Sequence, residues 1–97
     1  MAAESKFQNK LIKKLKKRFP GCMVMKSNPG YIQGLPDLLF LWKKHWAALE
    51  VKKSRNAHHQ PNQDFYVKKM NDMSFARFIF PENMEEVLDE MEQSFRS

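Results

Sequence analysis

The chain has 97 residues, a length that corresponds to one domain with a small hydrophobic core. Its hydrophobic content of 42% and its mixed charges, 29% of all residues, indicate a folded chain rather than a disordered one. The single cysteine, Cys22, excludes a disulfide scaffold and a cysteine zinc module and favours a reducing compartment. The apolar stretches are far shorter than a membrane span and no secretory signal begins the chain, so we expect a cytoplasmic protein with no membrane contact.

The net charge of +6 is distributed unevenly along the chain. Residues 1–55 carry 13 Lys or Arg and 3 carboxylates, whereas residues 56–97 carry 4 and 8. A basic half of this kind favours a polyanionic partner, because each cation that neutralises a phosphate releases a counterion. A well-solvated surface is the alternative. The three acids of the basic half favour a functional interpretation, and they are Glu4, Asp37 and Glu50.

Apolar residues at helical spacing predict a first helix over residues 2 to about 18, ended by Pro20-Gly21. Glu4 precedes Leu11 by seven residues, so we expect it on the apolar stripe, at the edge of the core. Four lysines form a ridge on the opposite side of this helix, namely Lys6, Lys10, Lys13 and Lys17. The ridge is a candidate DNA contact, and a solvated helix face is the alternative.

Two apolar runs, residues 37–42 and 45–52, flank a Lys-Lys pair and predict a hairpin. Paired residue numbers then sum to 87, which places Asp37 opposite Glu50. Because Lys-Lys is a poor type I′ turn, we expect a four-residue loop rather than a two-residue one. Both faces of the hairpin are apolar, as in a central strand pair with helices packed on each side.

The remaining segments complete an α/β fold. Residues 22–26 predict a strand before the hairpin, and residues 27–36 predict an exposed, adaptable loop. A second helix is expected over residues 62 to about 72, with Tyr66, Met70 and Met73 on one stripe that Gln63 extends. The last segments are a strand over 74–80 and a C-terminal helix over 83–95. The order is αβββαβα, with a central mixed sheet flanked by helices and a crossover helix before the last strand.

Two carboxylates are predicted about 5 Å apart, measured between Cα atoms, at one end of the hairpin. Asp37 and Glu50 would repel each other strongly there unless a proton or a cation lies between them. Ligands that are all oxygen favour Mg²⁺ or Mn²⁺ over Zn²⁺. Lys52 lies on the same face of the strand as Glu50. Two acids and an ammonium beside a hard cation suit phosphodiester hydrolysis, and an exposed strand salt bridge is the alternative.

Pro36-Asp37, twelve intervening residues and Glu50-Val51-Lys52 resemble the signature of the PD-(D/E)xK nuclease superfamily. Glu4 resembles the additional helix-one acid of that superfamily, notably in its Holliday-junction resolvase branch. The segment 34–37 (GLPD), the ExK tripeptide, and Gln63 with Tyr66 in the second helix are similar to the virus-type replication-repair nuclease (VRR-NUC) family, which is common in phages. The resemblance covers nearly the whole chain and implies one nuclease domain, residues 1–97, with a restriction-endonuclease-like αβββαβ core.

The resemblance also implies roles for the site residues. Mg²⁺ (or Mn²⁺) would be held by Asp37, Glu50 and the Val51 carbonyl, and by Glu4 directly or through water. Lys52 would act on the nucleophile, and Gln63 would support the site or touch the scissile strand. The implied catalytic set is Glu4, Asp37, Glu50, Lys52 and Gln63. The candidate nucleic-acid contacts are the cations and one aromatic of the basic half, namely Lys6, Lys10, Lys13, Lys17, Lys26, Tyr31, Lys53 and Arg55.

The implied protein is a homodimeric, metal-dependent DNA endonuclease acting on Holliday junctions or other branched intermediates of repair and recombination. It would work in the cytoplasm of a bacterium or a phage-infected host, without an organic cofactor. Two alternatives stay open, a catalytically inert basic DNA-binding module and a nuclease that is not structure-selective.

Several residues also have simpler explanations. Glu4 suits a helix N-terminus and Gln63 suits an ordinary first helical turn. Tyr31 is consistent with a plain loop aromatic. Exposed loop positions are the favoured interpretation of His58 and His59, which lack partner ligands in the sequence.

Overall fold

Seven elements follow one another in the computed structural model of the chain, which describes residues 3–28 and 30–96. They are α1 (Ala3–Arg18), β1 (Met23–Lys26), β2 (Leu38–Trp42), β3 (His45–Val51), α2 (Pro61–Met73), β4 (Ala76–Ile79) and α3 (Met84–Arg96). The predicted order αβββαβα is confirmed. Ala2, expected in the first helix, and Pro29, expected in the loop before β2, lie outside the described residues.

The four strands form one mixed sheet in the order β1-β2-β3-β4. β2 pairs antiparallel with both β1 and β3, whereas β3 and β4 are parallel. α2 provides the crossover connection that a parallel pair requires. The predicted register of the hairpin is confirmed, because Leu38 pairs with Leu49. Asp37 directly precedes this pair on one strand and Glu50 directly follows it on the other.

The turn between β2 and β3 is shorter than the predicted four-residue loop. Trp42 pairs with His45, so Lys43 and Lys44 alone form the loop. Lys43 adopts a left-handed φ of 56°, which costs a residue with a side chain about 1 kcal/mol. Phe95 of α3 offsets this cost by packing on both strand ends, 4.8 Å from the His45 ring and 6.4 Å from Trp42 between centroids. Tertiary packing therefore overrides the local turn preference.

Helices cover both faces of the sheet, as the two apolar hairpin faces predict. α1 and α3 pack on one face, where Phe40 and Leu49 join the main core. α2 packs on the other face, where Val67 contacts a smaller cluster that includes Ala48 and Ala76. None of the three helices, over the residues that the structure describes, is long and apolar enough to cross a membrane.

α2 buries less of its apolar stripe than the spacing of its residues indicates. Within Pro61–Met73, all of which the structure describes, only Val67 is buried, and Met73 is 64% exposed. The reason is the position of α2, which lies against β3 and β4. The same face of β1 and β2 is therefore only partly covered, and Met23 and Met25 on β1 are exposed.

Candidate active site

Asp37 and Glu50 lie side by side at the end of the β2–β3 pair, on the sheet face that α2 covers. The Asp37 carboxylate (Oδ2) accepts a hydrogen bond from the Val51 backbone N–H at 2.9 Å, which fixes it against the neighbouring strand. Glu50 is only 2% exposed, and its Oε2 accepts a hydrogen bond from the Gln63 side-chain amide at 3.0 Å. Its other oxygen, Oε1, is buried without a hydrogen-bond partner among the described residues.

The electrostatics of the pair disfavour two negative charges. Burial, reinforced by the charge of Asp37, raises the pKa of Glu50 to about 8, although the Lys52 ammonium acts in the opposite direction. Burial also raises the pKa of Asp37, against the lowering effects of the Val51 hydrogen bond and of Lys52. Glu50 therefore holds a proton at neutral pH unless a cation takes its place.

Glu50→Gln is expected to stabilise the metal-free protein at about pH 8. Because the pKa of Glu50 is higher in the native state than its ordinary value of 4.5, the native state binds more protons between these two values. Stability therefore falls as the pH rises through this window. A neutral amide removes that loss, so we expect the free energy of unfolding to increase by about 1–2 kcal/mol. Each kcal/mol corresponds to a rise of about 4–8 °C in Tm for a domain of this size.

Thermal melts in EDTA at about pH 5 and about pH 8 measure this effect. The stabilisation should appear at the higher pH and largely vanish at the lower one. Glu86→Gln, a substitution at an exposed position of α3, is the control and should change Tm little at either pH. A gain for Glu50→Gln that is the same at both pH values would contradict the assignment.

Lys52 is buried next to the carboxylate pair, with 7% of its surface exposed. Its Nζ donates hydrogen bonds to Gln63 Oε1 at 2.7 Å and to the His58 backbone carbonyl at 3.0 Å, and lies 3.7 Å from Glu50 Oε2. The Gln63 amide therefore bridges Lys52 and Glu50 through its two ends. Its Oε1 also accepts the backbone N–H of Gln60 at 3.0 Å, in a capping box that begins α2. The helix start thus fixes the orientation of the amide.

The loop that precedes Asp37 packs tightly on this helix start. Gly34 has a φ of 94°, and a Cβ added there would lie 3.0 Å from the carbonyl carbon of Asn62. A side chain at this position would meet backbone, which cannot move aside as the end of a flexible side chain can. Glycine is therefore required both for the conformation and for the close approach.

Gly34→Ala is expected to lower the free energy of unfolding by about 2–3 kcal/mol, since backbone strain and overpacking add. Gly21→Ala is the matched control, because Gly21 has a similar φ of 90° with nothing within 4 Å of an added Cβ. Its cost is the conformational strain alone, about 1 kcal/mol. Urea unfolding of both variants separates the two contributions, and equal losses would disprove the close approach.

Glu4 lies at the mouth of the site. It is exposed, contrary to the predicted position at the core edge, because burial along the described part of α1 starts at Phe7, one turn later. Together with Lys52, Lys53 and His58 it lines a cavity of about 470 Å³, and its charge contributes to the raised pKa of Glu50. Within the described ranges, no three His, Cys, Asp or Glu side chains are grouped closely enough to hold a metal ion.

Two further residues contribute to this site: Gln8, for which the sequence pattern predicts no role, and His58, for which it predicts an exposed loop position. Gln8 lines a cavity of about 390 Å³ together with Asp37 and Gln63. It lies one helical turn after Glu4, so its i,i+4 spacing was a usable signal. His58 contributes its backbone carbonyl to Lys52, and no side-chain pattern encodes a backbone acceptor.

Four of the predicted DNA contacts lie in loops or at strand ends. Lys26 lines the same cavity as Asp37, and Lys53 lines the cavity at Glu4. Arg55 is exposed, with its guanidinium 5.3 Å from the centroid of the Phe80 ring. Tyr31 is 79% exposed.

The lysine ridge occupies a different surface. α1 buries Phe7, Leu11 and Leu15 against the sheet face opposite to the one that carries the carboxylates. The four ridge lysines are exposed on the outer side of the helix, and they are Lys6, Lys10, Lys13 and Lys17. Exposed cations therefore lie in two places, beside the carboxylates and along the outer side of α1.

The donor set fits a hard divalent cation. Asp37 and Glu50 supply carboxylate oxygens, one of which is buried without a partner, and the Val51 carbonyl belongs to the adjacent residue. Oxygen donors of this kind suit Mg²⁺ or Mn²⁺. No protein-family model matches the chain, and no curated protein matches its sequence.

Proposed function

We propose that this protein is a metal-dependent DNA endonuclease that hydrolyses phosphodiester bonds. The observation that carries the proposal is the buried Glu50 oxygen without a partner, beside Asp37 and next to an ammonium that Gln63 holds in place. The resemblance of Pro36-Asp37 and Glu50-Val51-Lys52 to the PD-(D/E)xK signature, and of the chain to the VRR-NUC family, supports it. The order αβββαβα is compatible with the restriction-endonuclease-like core.

Each site residue has a role in the proposed reaction. When bound, Mg²⁺ or Mn²⁺ would act as a Lewis acid that activates water and screens the negative charge of the phosphate. Asp37, Glu50 and the Val51 carbonyl would hold the ion, and Glu4 would reach it directly or through water. Lys52 orients the attacking water or stabilises the negative charge that develops at phosphorus. Gln63 positions Lys52 through its Oε1 and Glu50 through its Nε2.

The proposed substrate is branched DNA, such as a Holliday junction, cut by a homodimer during replication, repair or recombination. The exposed cations in these two places support this choice, because one DNA segment can contact Lys26 and Lys53 beside the carboxylates while another contacts the ridge on α1. A two-fold symmetric dimer would present two sites to a symmetric junction. The proposed setting is the cytoplasm of a bacterium or a phage-infected host.

The second candidate is a basic DNA-binding module without catalysis, which the excess of Lys and Arg in residues 1–55 favours. Incubation of four-way-junction, supercoiled and linear DNA with the protein in Mg²⁺ or Mn²⁺ separates the two. The nuclease should cut at least one substrate and stop in EDTA. Binding that weakens with salt and no cleavage of any substrate would favour the inert module. Cleavage of a labelled junction in the presence of competing duplex then distinguishes a structure-selective nuclease, which should prefer the junction, from a general nuclease, which should cut both alike.

A further inference from the structure

An apolar cavity of about 270 Å³ lies beside the carboxylate pair, between β1, β2 and α2. Its lining is mostly aliphatic and thioether, with Met25, Leu39 and Met70 on three different elements. Leu35 and Pro36 close it on the side of the loop that leads to Asp37. The cavity exists because α2 leaves β1 and β2 partly uncovered on this face.

The cavity and the carboxylates share one face of the sheet and one wall. Leu39 follows Asp37 by two residues, so both side chains project from the same face of the strand about 7 Å apart. Lys26, Ser27 and Leu35 line this cavity and also the neighbouring one that contains Asp37. The Ser27 backbone N–H donates to the Asp37 carbonyl at 2.8 Å, which holds the shared wall in place.

The chemistry of the two cavities is complementary to a single nucleotide. The carboxylate side suits a phosphate with its cation, and the exposed Lys26 at the boundary adds a positive charge for a neighbouring phosphate. The apolar side suits the flat face of a nucleobase, for which methionine sulfur and aliphatic carbon are favourable contacts. A base that is stacked and paired within a duplex has its faces covered by its neighbours, so it must leave the stack before one face can pack on this lining.

We propose that the cavity lined by Met25, Leu39 and Met70 binds an unpaired nucleobase adjacent to the phosphodiester that lies at the carboxylates. The proposal rests on the proposed nuclease function and names its substrate class, DNA with an unstacked nucleotide next to the cleaved bond. Selectivity for branched DNA would then come partly from the requirement that a base be free to leave the helix, and not only from the spacing of basic surfaces.

The test measures binding rather than cleavage, so that it stands apart from the nuclease activity. The probes are a fluorescent oligothymidylate of about eight nucleotides and an abasic oligomer of equal length and charge. In EDTA, the wild-type protein should bind the oligothymidylate about 10-fold more tightly, because base contacts are worth about 1–3 kcal/mol. Equal affinity for the two oligomers would overturn the proposal, whereas absent cleavage of every DNA would overturn only the nuclease.

A double variant assigns the preference to the cavity. Met25→Ala/Met70→Ala should bring the two affinities to within about 2-fold of each other, because it removes both thioethers from the lining. Met23→Ala/Met73→Ala removes two exposed methionines that do not line the cavity and should keep the preference. A general loss of folding would weaken the binding of both oligomers equally and leave the ratio of their affinities unchanged. This ratio is therefore the decisive quantity.

The competing occupant of the cavity is a second copy of the chain. Sedimentation equilibrium of the same variants distinguishes this dimer from binding of a nucleobase. A dimer that dissociates in Met25→Ala/Met70→Ala and persists in Met23→Ala/Met73→Ala, with no preference for bases, would assign the cavity to the dimer interface and overturn the proposal.

Discussion

Asp37→Asn should slow DNA cleavage by about 10³-fold or more while the affinity for DNA in EDTA stays within about 2-fold of the wild type. The substitution changes one oxygen into an NH₂ group, which cannot serve as an anionic ligand, and it keeps the size of the side chain. It also removes the negative charge that adds to the effect of burial in raising the pKa of Glu50. The fold should therefore be retained, since the charge lost is one that burial disfavours.

Single-turnover cleavage of a labelled junction measures the effect. Asp72→Asn is the matched control, because Asp72 is an exposed residue of α2 whose contact is a long surface ion pair with Lys68. It should cleave at the wild-type rate. An Asp37→Asn protein that retains more than about a tenth of the wild-type rate would show that this carboxylate does not bind an essential cation.

Lys52→Met is the second substitution with a large expected effect, a loss of about 10²–10³-fold in the cleavage rate. Lys52 Nζ is held by Gln63 and the His58 carbonyl within hydrogen-bond distance, so its charge is fixed beside the carboxylates rather than free in solvent. Methionine preserves the apolar stem and removes the charge. Because Lys52 lowers the pKa of Glu50, its loss should also shift cation binding to higher pH.

Lys52→Arg keeps the positive charge that Lys52→Met removes, but it should not restore the wild-type cleavage rate. The guanidinium is larger and planar, and the buried space accepts a single ammonium with two fixed acceptors. Lys53→Met is the control at the next residue, where the side chain is exposed, and it should lose no more than a small part of the DNA affinity. Comparable loss of cleavage in Lys52→Met and Lys53→Met would indicate that positive charge in general, rather than the ammonium beside Glu50, is what matters.

The hairpin and its register followed from the sequence because two apolar runs flank one turn signal. A two-residue and a four-residue loop centred on Lys43 and Lys44 both give pairs whose numbers sum to 87, so the position of the turn left one pairing. The same pairing placed Asp37 and Glu50 next to each other. The predicted four-residue loop is wrong because Lys43 and Lys44 alone do not determine the turn. Phe95, half a chain away, packs on both strand ends.

The parts of the site that escaped prediction depend on long-range packing. The bridge formed by Gln63 joins Lys52 to Glu50 only because the start of α2 lies over the end of β3. Glu4 is exposed because the buried stripe of α1 starts at Phe7, one turn further along the helix. The apolar cavity reflects the limited coverage of the sheet by α2, and the stripe of Tyr66, Met70 and Met73 suggested fuller burial than the structure has.

Binding of Mn²⁺ to the protein without DNA bears most directly on the role of Asp37 and Glu50. Calorimetric titrations at about pH 7, in two buffers of different ionisation enthalpy, measure both the affinity and the number of protons released. The raised pKa of Glu50, about 8, predicts release of close to one proton per binding event and an affinity that increases with pH up to that value. Glu50→Gln should bind Mn²⁺ at least about 10-fold more weakly and release no proton. If the wild-type protein and Glu50→Gln bind Mn²⁺ alike, or if neither binds it, the two carboxylates do not share a cation and the proposed nuclease site is wrong.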